Sequence, residues 1–411
     1  MSRAKPHPAP PPPQQQQKQP PLLRQGPRPL PLHLSLSLGS WLSSPIGLML
    51  SMHASTRSKA LPEPLASLAQ SLLQQNPHEL GPSLSRAVGE NLAKLTKGIE
   101  RYRTHPYQRQ LEEPRSIWND GSTRLLDYGG SGPPVLFVPS LVNRAYILDL
   151  DEKRSLLRWL AARGLHPYLV DWGTPEQAER NFGLDDYIVR LDAILARLKK
   201  PPHLVGYCMG GNLALAGALR NPGKVRSLAL LATPWDFHAD GKAEALRAAL
   251  LYQSWRPWCA LNGGLPVDLL QSLFTLLDPL GPQKKFMKLA DMDDGHELES
   301  FVALEDWLND GIVLPLEVAD TCLGSWYERN DPATLNWMVE GEPVCPATLT
   351  VPALVMVPQQ DRIVPPASAL ALANALPSRS LINLPLGHVG MIVSREAPTL
   401  CWHPLLEWLK R

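Results

Sequence analysis

The sequence predicts an α/β fold: a mostly parallel sheet flanked by helices, with a helical lid inserted late in the topology. Three observations predict it. From Thr123 onward, short β-rich runs alternate with stretches of helical period, the pattern of strands joined by crossover helices. A glycine-rich turn stands where one of those runs becomes a helix. The alternation stops after Phe237 and resumes near Val351, which leaves a long Trp-rich helical stretch inside the sheet topology.

Strands are expected at 124–128, 135–139, 167–171, 203–207, 225–231, 353–357 and 380–384. Between the third and fourth, Leu184, Tyr187, Ile188, Leu191, Ile194, Leu195 and Leu198 recur every three or four residues and mark one face of a helix. The catalytic core would then occupy residues 115–240 and 351–411, separated by a lid at 241–350. That lid contains Trp255, Trp258, Trp307, Trp326 and Trp337, bulk suited either to roofing an apolar pocket or to plain core packing.

The beginning of the chain differs in composition. Proline and glutamine dominate residues 6–31, with too little apolar surface to offset chain entropy, so residues 1–60 are expected to be a disordered leader. Leucine alternates with serine over residues 32–52, and Pro31 and Pro45 interrupt the stretch, which makes a poor membrane span. An over-extended reading frame, with the true start at Met49 or Met52, fits this reading. Residues 61–114 read as a helical region. Its apolar positions are Leu65, Leu68, Ala69, Leu72 and Leu73, then Leu84, Val88, Leu92, Leu95, Ile99 and Tyr102.

With 40 basic and 39 acidic residues among 411, the formal charge of +1 gives no field to attract nucleic acid. Five cysteines without paired short spacing suggest reduced thiols in a cytoplasm rather than disulfides or a zinc site. Asp291-Met292-Asp293-Asp294-Gly295 lacks the ligand spacing of a calcium loop, so no metal is expected, and no bound cofactor either.

The chemistry concentrates in Gly206-Tyr207-Cys208-Met209-Gly210-Gly211. An apolar run precedes it and a helix-forming run follows, the context of a nucleophile elbow on an α/β-hydrolase fold with Cys208 as nucleophile. The glycines let the strand turn sharply, and the helix N-terminus favours negative charge on the sulfur. The Met209 N–H then faces the place where an oxyanion would form. A buried structural cysteine is the plainer reading of the turn taken alone.

Two further residues follow in the order this fold requires. Asp361 lies in the loop after strand 353–357 and His388 in the loop after strand 380–384, both at the sheet edge that carries Cys208. His203, His238 and His296 compete as histidines, but none follows a late strand. A second oxyanion donor would come from the loop after strand 135–139, where Leu141 and Val142 are equal candidates.

At these residues the chain resembles the polyhydroxyalkanoate synthases. The similar segments begin with Phe137-Val138-Pro139-Ser140-Leu141-Val142-Asn143-Arg144-Ala145-Tyr146-Ile147-Leu148-Asp149-Leu150, then Tyr168-Leu169-Val170-Asp171-Trp172-Gly173, the elbow, and Thr233-Pro234-Trp235-Asp236-Phe237. Asp361-Arg362-Ile363-Val364-Pro365 and Gly387-His388-Val389-Gly390 complete the set. The resemblance runs from about Arg115 to the C-terminus and is nearest to the class III type, whose catalytic subunit works with a second subunit. It departs from the family where Ser140-Leu141 replaces Pro-Trp, and in the Pro/Gln leader.

The resemblance implies polymerisation of (R)-3-hydroxyacyl-coenzyme A thioesters with coenzyme A release. Cys208 would carry the acyl group and His388 would activate it, while Asp361 orients His388 or helps deprotonate the incoming 3-hydroxyl. Implied partners are the acyl thioester, the growing polyester and a second synthase subunit or another copy of the chain. The implied location is the cytoplasm, at the polymer granule surface rather than a membrane. A polyester depolymerase or thioesterase could use the same three residues with water as acceptor, and a non-catalytic granule-binding relative is the alternative of a different class.

Overall fold

The computed structural model describes residues 24–55, 71 and 77–411. Its centre is an eight-stranded sheet. The strands are β1 (Arg115–Asp120), β2 (Thr123–Asp127), β3 (Pro134–Val138), β4 (His166–Asp171), β5 (His203–Tyr207) and β6 (Ser227–Leu231). A separate hairpin follows, β7 (Met338–Val339) with β8 (Glu342–Pro343), and the sheet resumes with β9 (Ala353–Pro358) and β10 (Arg379–Leu384). In the sheet the order is β1-β2-β4-β3-β5-β6-β9-β10. β1 and β2 pair antiparallel and β2 runs antiparallel to β4, while every later neighbour is parallel.

The central strands read as unbroken apolar runs because both faces are covered. Alternate residues of one strand point to opposite sides. On one side, Leu136, Val138, Leu204, Leu228, Leu230 and Val355 pack with Leu184, Ile188 and Leu191 of the helix Leu184–Arg197. On the other, Phe137, Val205, Ala229, Leu231 and Met356 meet Leu156, Leu160, Trp402 and Leu405. β1 was not foreseen from the sequence. It is a half-exposed edge strand, so no apolar alternation announces it.

The inserted segment contains the helices Lys242–Leu261, Val267–Thr275, Gly281–Leu289, His296–Asn309 and Leu316–Ala319, then a π-helix, Asp320–Arg329. It is tied to the loop after β3. Asn143 bridges to Gly311, and the Trp307 indole N–H donates to the Arg144 carbonyl at 2.8 Å. The tryptophans divide: Trp326 and Trp337 are buried edge to face at 4.9 Å, whereas Trp258 is 51% exposed.

The disordered leader expected over residues 1–60 is corrected for its second half, because Leu30–Ser55 is helical. Proline and glutamine thin out there, and Leu30, Leu34 and Trp41 pack against the cluster of Leu95, Ile99, Tyr102 and Phe286. Arg24 pairs with Asp306 at 2.6 Å and Arg28 with Asp268 at 2.8 Å, which fastens the segment to the insertion. Residues 1–23 and the pattern Leu65, Leu68, Ala69, Leu72 and Leu73 lie outside the described residues. The second pattern forms the helix Pro77–Thr104, whose Gly98 lets its backbone approach Phe286, since a Cβ there would lie 1.9 Å from the Phe286 carbonyl oxygen. Among the described residues no helix is long and apolar enough to cross a membrane.

Candidate active site

β5 delivers Cys208 to the C-terminal edge of the sheet, and the helix Met209–Arg220 leaves directly from it. Cys208 has φ 56° and ψ −133°, a conformation that costs an L-residue about 1–3 kcal/mol. Its neighbours explain how the turn is held. A Cβ on Gly206 would lie 2.3 Å from the Gly211 Cα, one on Gly210 would lie 2.1 Å from the Val138 carbonyl oxygen, and one on Gly211 would strike Thr233. The Cys208 N–H donates to the Leu231 carbonyl at 2.9 Å, so β6 also braces the apex.

β9 and β10 bring the other two residues to the same edge. Asp361 is buried, and its Oδ1 accepts from the N–H groups of Ile363 at 2.8 Å and Val364 at 2.9 Å. Its Oδ2 lies 2.6 Å from His388 Nδ1, so an ionised carboxylate receives the Nδ1–H and Nε2 is left for the sulfur. Cys208 lies close enough to that ring for its charge to act on it. Burial alone would lower the His388 pKa. The Cys208 sulfur beside it and the hydrogen bond to Asp361 outweigh burial and raise it from 6.5 to about 10. The expected trio is therefore brought together, with both oxygens of Asp361 engaged by the protein's own groups.

Met209 opens its helix, where a backbone N–H has no partner within the helix. Of the two loop candidates, Val142 has its N–H donating to Ser140 Oγ at 3.2 Å and its carbonyl accepting from Ile312 at 3.3 Å. The Trp172 indole N–H donates to the Pro139 carbonyl at 3.0 Å, so Asp171-Trp172-Gly173 serves to fix this loop.

The competing histidines are placed elsewhere. His203 Nδ1 lies 2.6 Å from Ser227 Oγ, and burial lowers its pKa to about 4. His296 Nδ1 meets Ser300 Oγ, and His238 Nε2 donates to the Tyr327 carbonyl at 3.0 Å. Asp291 and Asp294 are taken by Lys94 and Arg101. Three residues beside the trio were not singled out from sequence. The Tyr207 hydroxyl donates to the His388 carbonyl at 3.1 Å, and Cys322 and Tyr327 of the π-helix feel the charge of Cys208. Tyr207 could have been found by its place in the elbow. The other two sit in the insertion, where only tertiary packing reveals what they face.

A parallel sheet with a strained nucleophile elbow and an acid and a histidine after its last two strands defines the alpha/beta hydrolase fold, and the family profile of that description matches residues 133–394. The poly(3-hydroxyalkanoate) polymerase subunit PhaC of Synechocystis sp. is 33% identical over 67% of this chain and 78% of its own length. That of Haloferax mediterranei is 30% identical over 71% of this chain and 62% of its own length. That of Allochromatium vinosum is 30% identical, over 67% and 80% respectively. The chain belongs to the poly(3-hydroxyalkanoate) polymerase family within the alpha/beta hydrolases. The match spans less than two thirds of the Haloferax protein.

Proposed function

We propose that the protein is a polyhydroxyalkanoate synthase that joins (R)-3-hydroxyacyl groups from coenzyme A thioesters. The observation that carries this reading is the meeting of Cys208, His388 and Asp361 at one sheet edge in a chain whose relatives are named polymerases. The Cys208 thiolate attacks the thioester carbonyl carbon, and the resulting oxyanion lies toward the N–H groups of Met209 and Leu141. Collapse breaks the bond to the coenzyme A sulfur, which takes the proton of His388 Nε2 and leaves as the free thiol. A chain-end hydroxyl then gives its proton to Nε2 as its oxygen attacks the enzyme thioester; an ester forms and the Cys208 thiolate is released.

A cysteine suits this relay. Thioester exchange is nearly isoenergetic, so the acyl group on Cys208 stays activated for the alcohol. The substrate supplies coenzyme A, and no resident cofactor or metal has a part. The place of action is the cytoplasmic surface of the polymer granule, with a second synthase subunit or another copy of the chain as partner. Exposed Leu250, Trp258, Leu261, Leu276 and Leu277 on the insertion support attachment to an apolar surface.

The test is coenzyme A release from (R)-3-hydroxybutyryl-coenzyme A, with the product weighed. Polymer growth matched by thiol release, and abolished in Cys208→Ala, is expected. Free 3-hydroxybutyrate without polymer would instead make the protein a hydrolase.

A further inference from the structure

The π-helix Asp320–Arg329 brings two polar side chains toward Cys208 that the reaction above leaves unused. Cys322 and Tyr327, like Cys208, Val142 and Phe237, are partly buried and pack against the same hydrophobic core, and both feel the charge of Cys208. Tyr327 is held from several sides. Its carbonyl accepts from His238 Nε2 at 3.0 Å, and its ring packs on Phe237 with centroids 5.1 Å apart. Trp326 packs on Phe237 at 5.6 Å and on Trp337 at 4.9 Å.

The helix closes on Asn330, a residue at φ 61°. Its Oδ1 accepts from the Phe237 N–H at 2.9 Å, and its amide donates to Asp236 Oδ1 at 2.8 Å. The segment is thereby locked to the loop after β6. Yet the Tyr327 hydroxyl, fixed by this packing, makes no hydrogen bond among the described residues. Burial, with the Cys208 charge nearby, raises its pKa to about 12, so it stays protonated and able to donate.

We propose that Tyr327 is a specificity-determining residue whose hydroxyl receives the 3-hydroxyl group of the acyl chain carried on Cys208. This rests on the synthase reading. In apolar surroundings such as those beside Phe237, whose ring packs on Tyr327, a substrate hydroxyl without a partner bears its full desolvation cost. A pocket with a waiting hydroxyl removes that cost, and an acyl chain lacking the 3-hydroxyl leaves the tyrosine unpaired. That is the arrangement by which a site rejects an analogue missing one polar group.

The experiment is single-turnover acylation of Cys208, followed by coenzyme A release and by the mass of the adduct, with 3-hydroxybutyryl- and butyryl-coenzyme A. The parent is expected to prefer the hydroxylated thioester. In Tyr327→Phe its acylation rate with that thioester should fall about tenfold, while the butyryl rate stays within about twofold. The butyryl rate also reports that the variant is folded. Equal losses with both thioesters, or no loss with either, overturn the assignment of Tyr327 and leave the synthase reading standing. A parent that acylates with neither thioester overturns the synthase reading and this inference with it.

Discussion

The Tyr207 hydroxyl donates to the backbone carbonyl of His388 at 3.1 Å, so the residue before the candidate nucleophile holds the candidate base by its main chain. Their rings lie 5.3 Å apart. In Tyr207→Phe the ring contact survives and only this bond is lost, at a cost of about 1 kcal/mol in stability. Turnover should fall several-fold at unchanged KM, because the His388 loop gains freedom while the acyl pocket is untouched. Steady-state kinetics beside urea unfolding checks both.

A pH profile follows from His388. Its pKa is raised to about 10, so the imidazolium proposed to protonate departing coenzyme A persists through neutral and mildly alkaline pH. Acylation rates should be flat there and fall as pH rises through about 10. Asp361→Asn removes one of the causes that oppose burial, so the alkaline limb should move to lower pH and the plateau should drop by about 10³-fold or more. Stopped-flow acylation across pH measures both. An unmoved limb would place the titration elsewhere.

The strain at Cys208 gives a test independent of turnover. Cys208→Ala and Cys208→Gly both lack the sulfur, but only glycine adopts φ 56°, ψ −133° without a Cβ penalty. The glycine variant should be the more stable of the two by about 1 kcal/mol, even though glycine has the greater unfolded-state entropy. Denaturant unfolding of the pair decides, and the reverse order would remove the strain argument.

Gating by the insertion is tested at Asn330. Asn330→Ala deletes the hydrogen bonds to Phe237 and Asp236 and places alanine at φ 61°. A loss of about 2 kcal/mol is expected. Faster amide exchange should be confined to the π-helix and the loop after β6, with β5 and β9 still protected. Uniform protection across insertion and core would argue against a lid.

The parts legible in the sequence were those whose physics is local. Glycines around Cys208, apolar runs for buried parallel strands and a loop after each late strand were enough to place Cys208, Asp361 and His388 at one edge. What escaped depends on partners distant in sequence. β1 is an exposed edge whose pairing with β2 leaves no apolar pattern. Leu30–Ser55 carries no helix signal strong enough to offset its serines and Pro45, and it packs near Phe286 while Arg24 and Arg28 just before it pair with Asp306 and Asp268, all far along the chain. That the Val142 N–H is engaged by Ser140 required seeing that hydroxyl turn back on its own loop.

The π-helical winding over Cys208 has an evolutionary consequence. Such a turn holds one residue more than an α-helical turn, so a single deletion within Asp320–Arg329 could restore ordinary winding without breaking the helix. The side chains within the widened turn would be re-aimed, while the flanking helix kept its facing. Tyr327 would then leave the position proposed above for it and another residue would take its place. A one-codon indel in this segment is thus a short route by which related chains could exchange one monomer preference for another while the sheet and the elbow stay as they are.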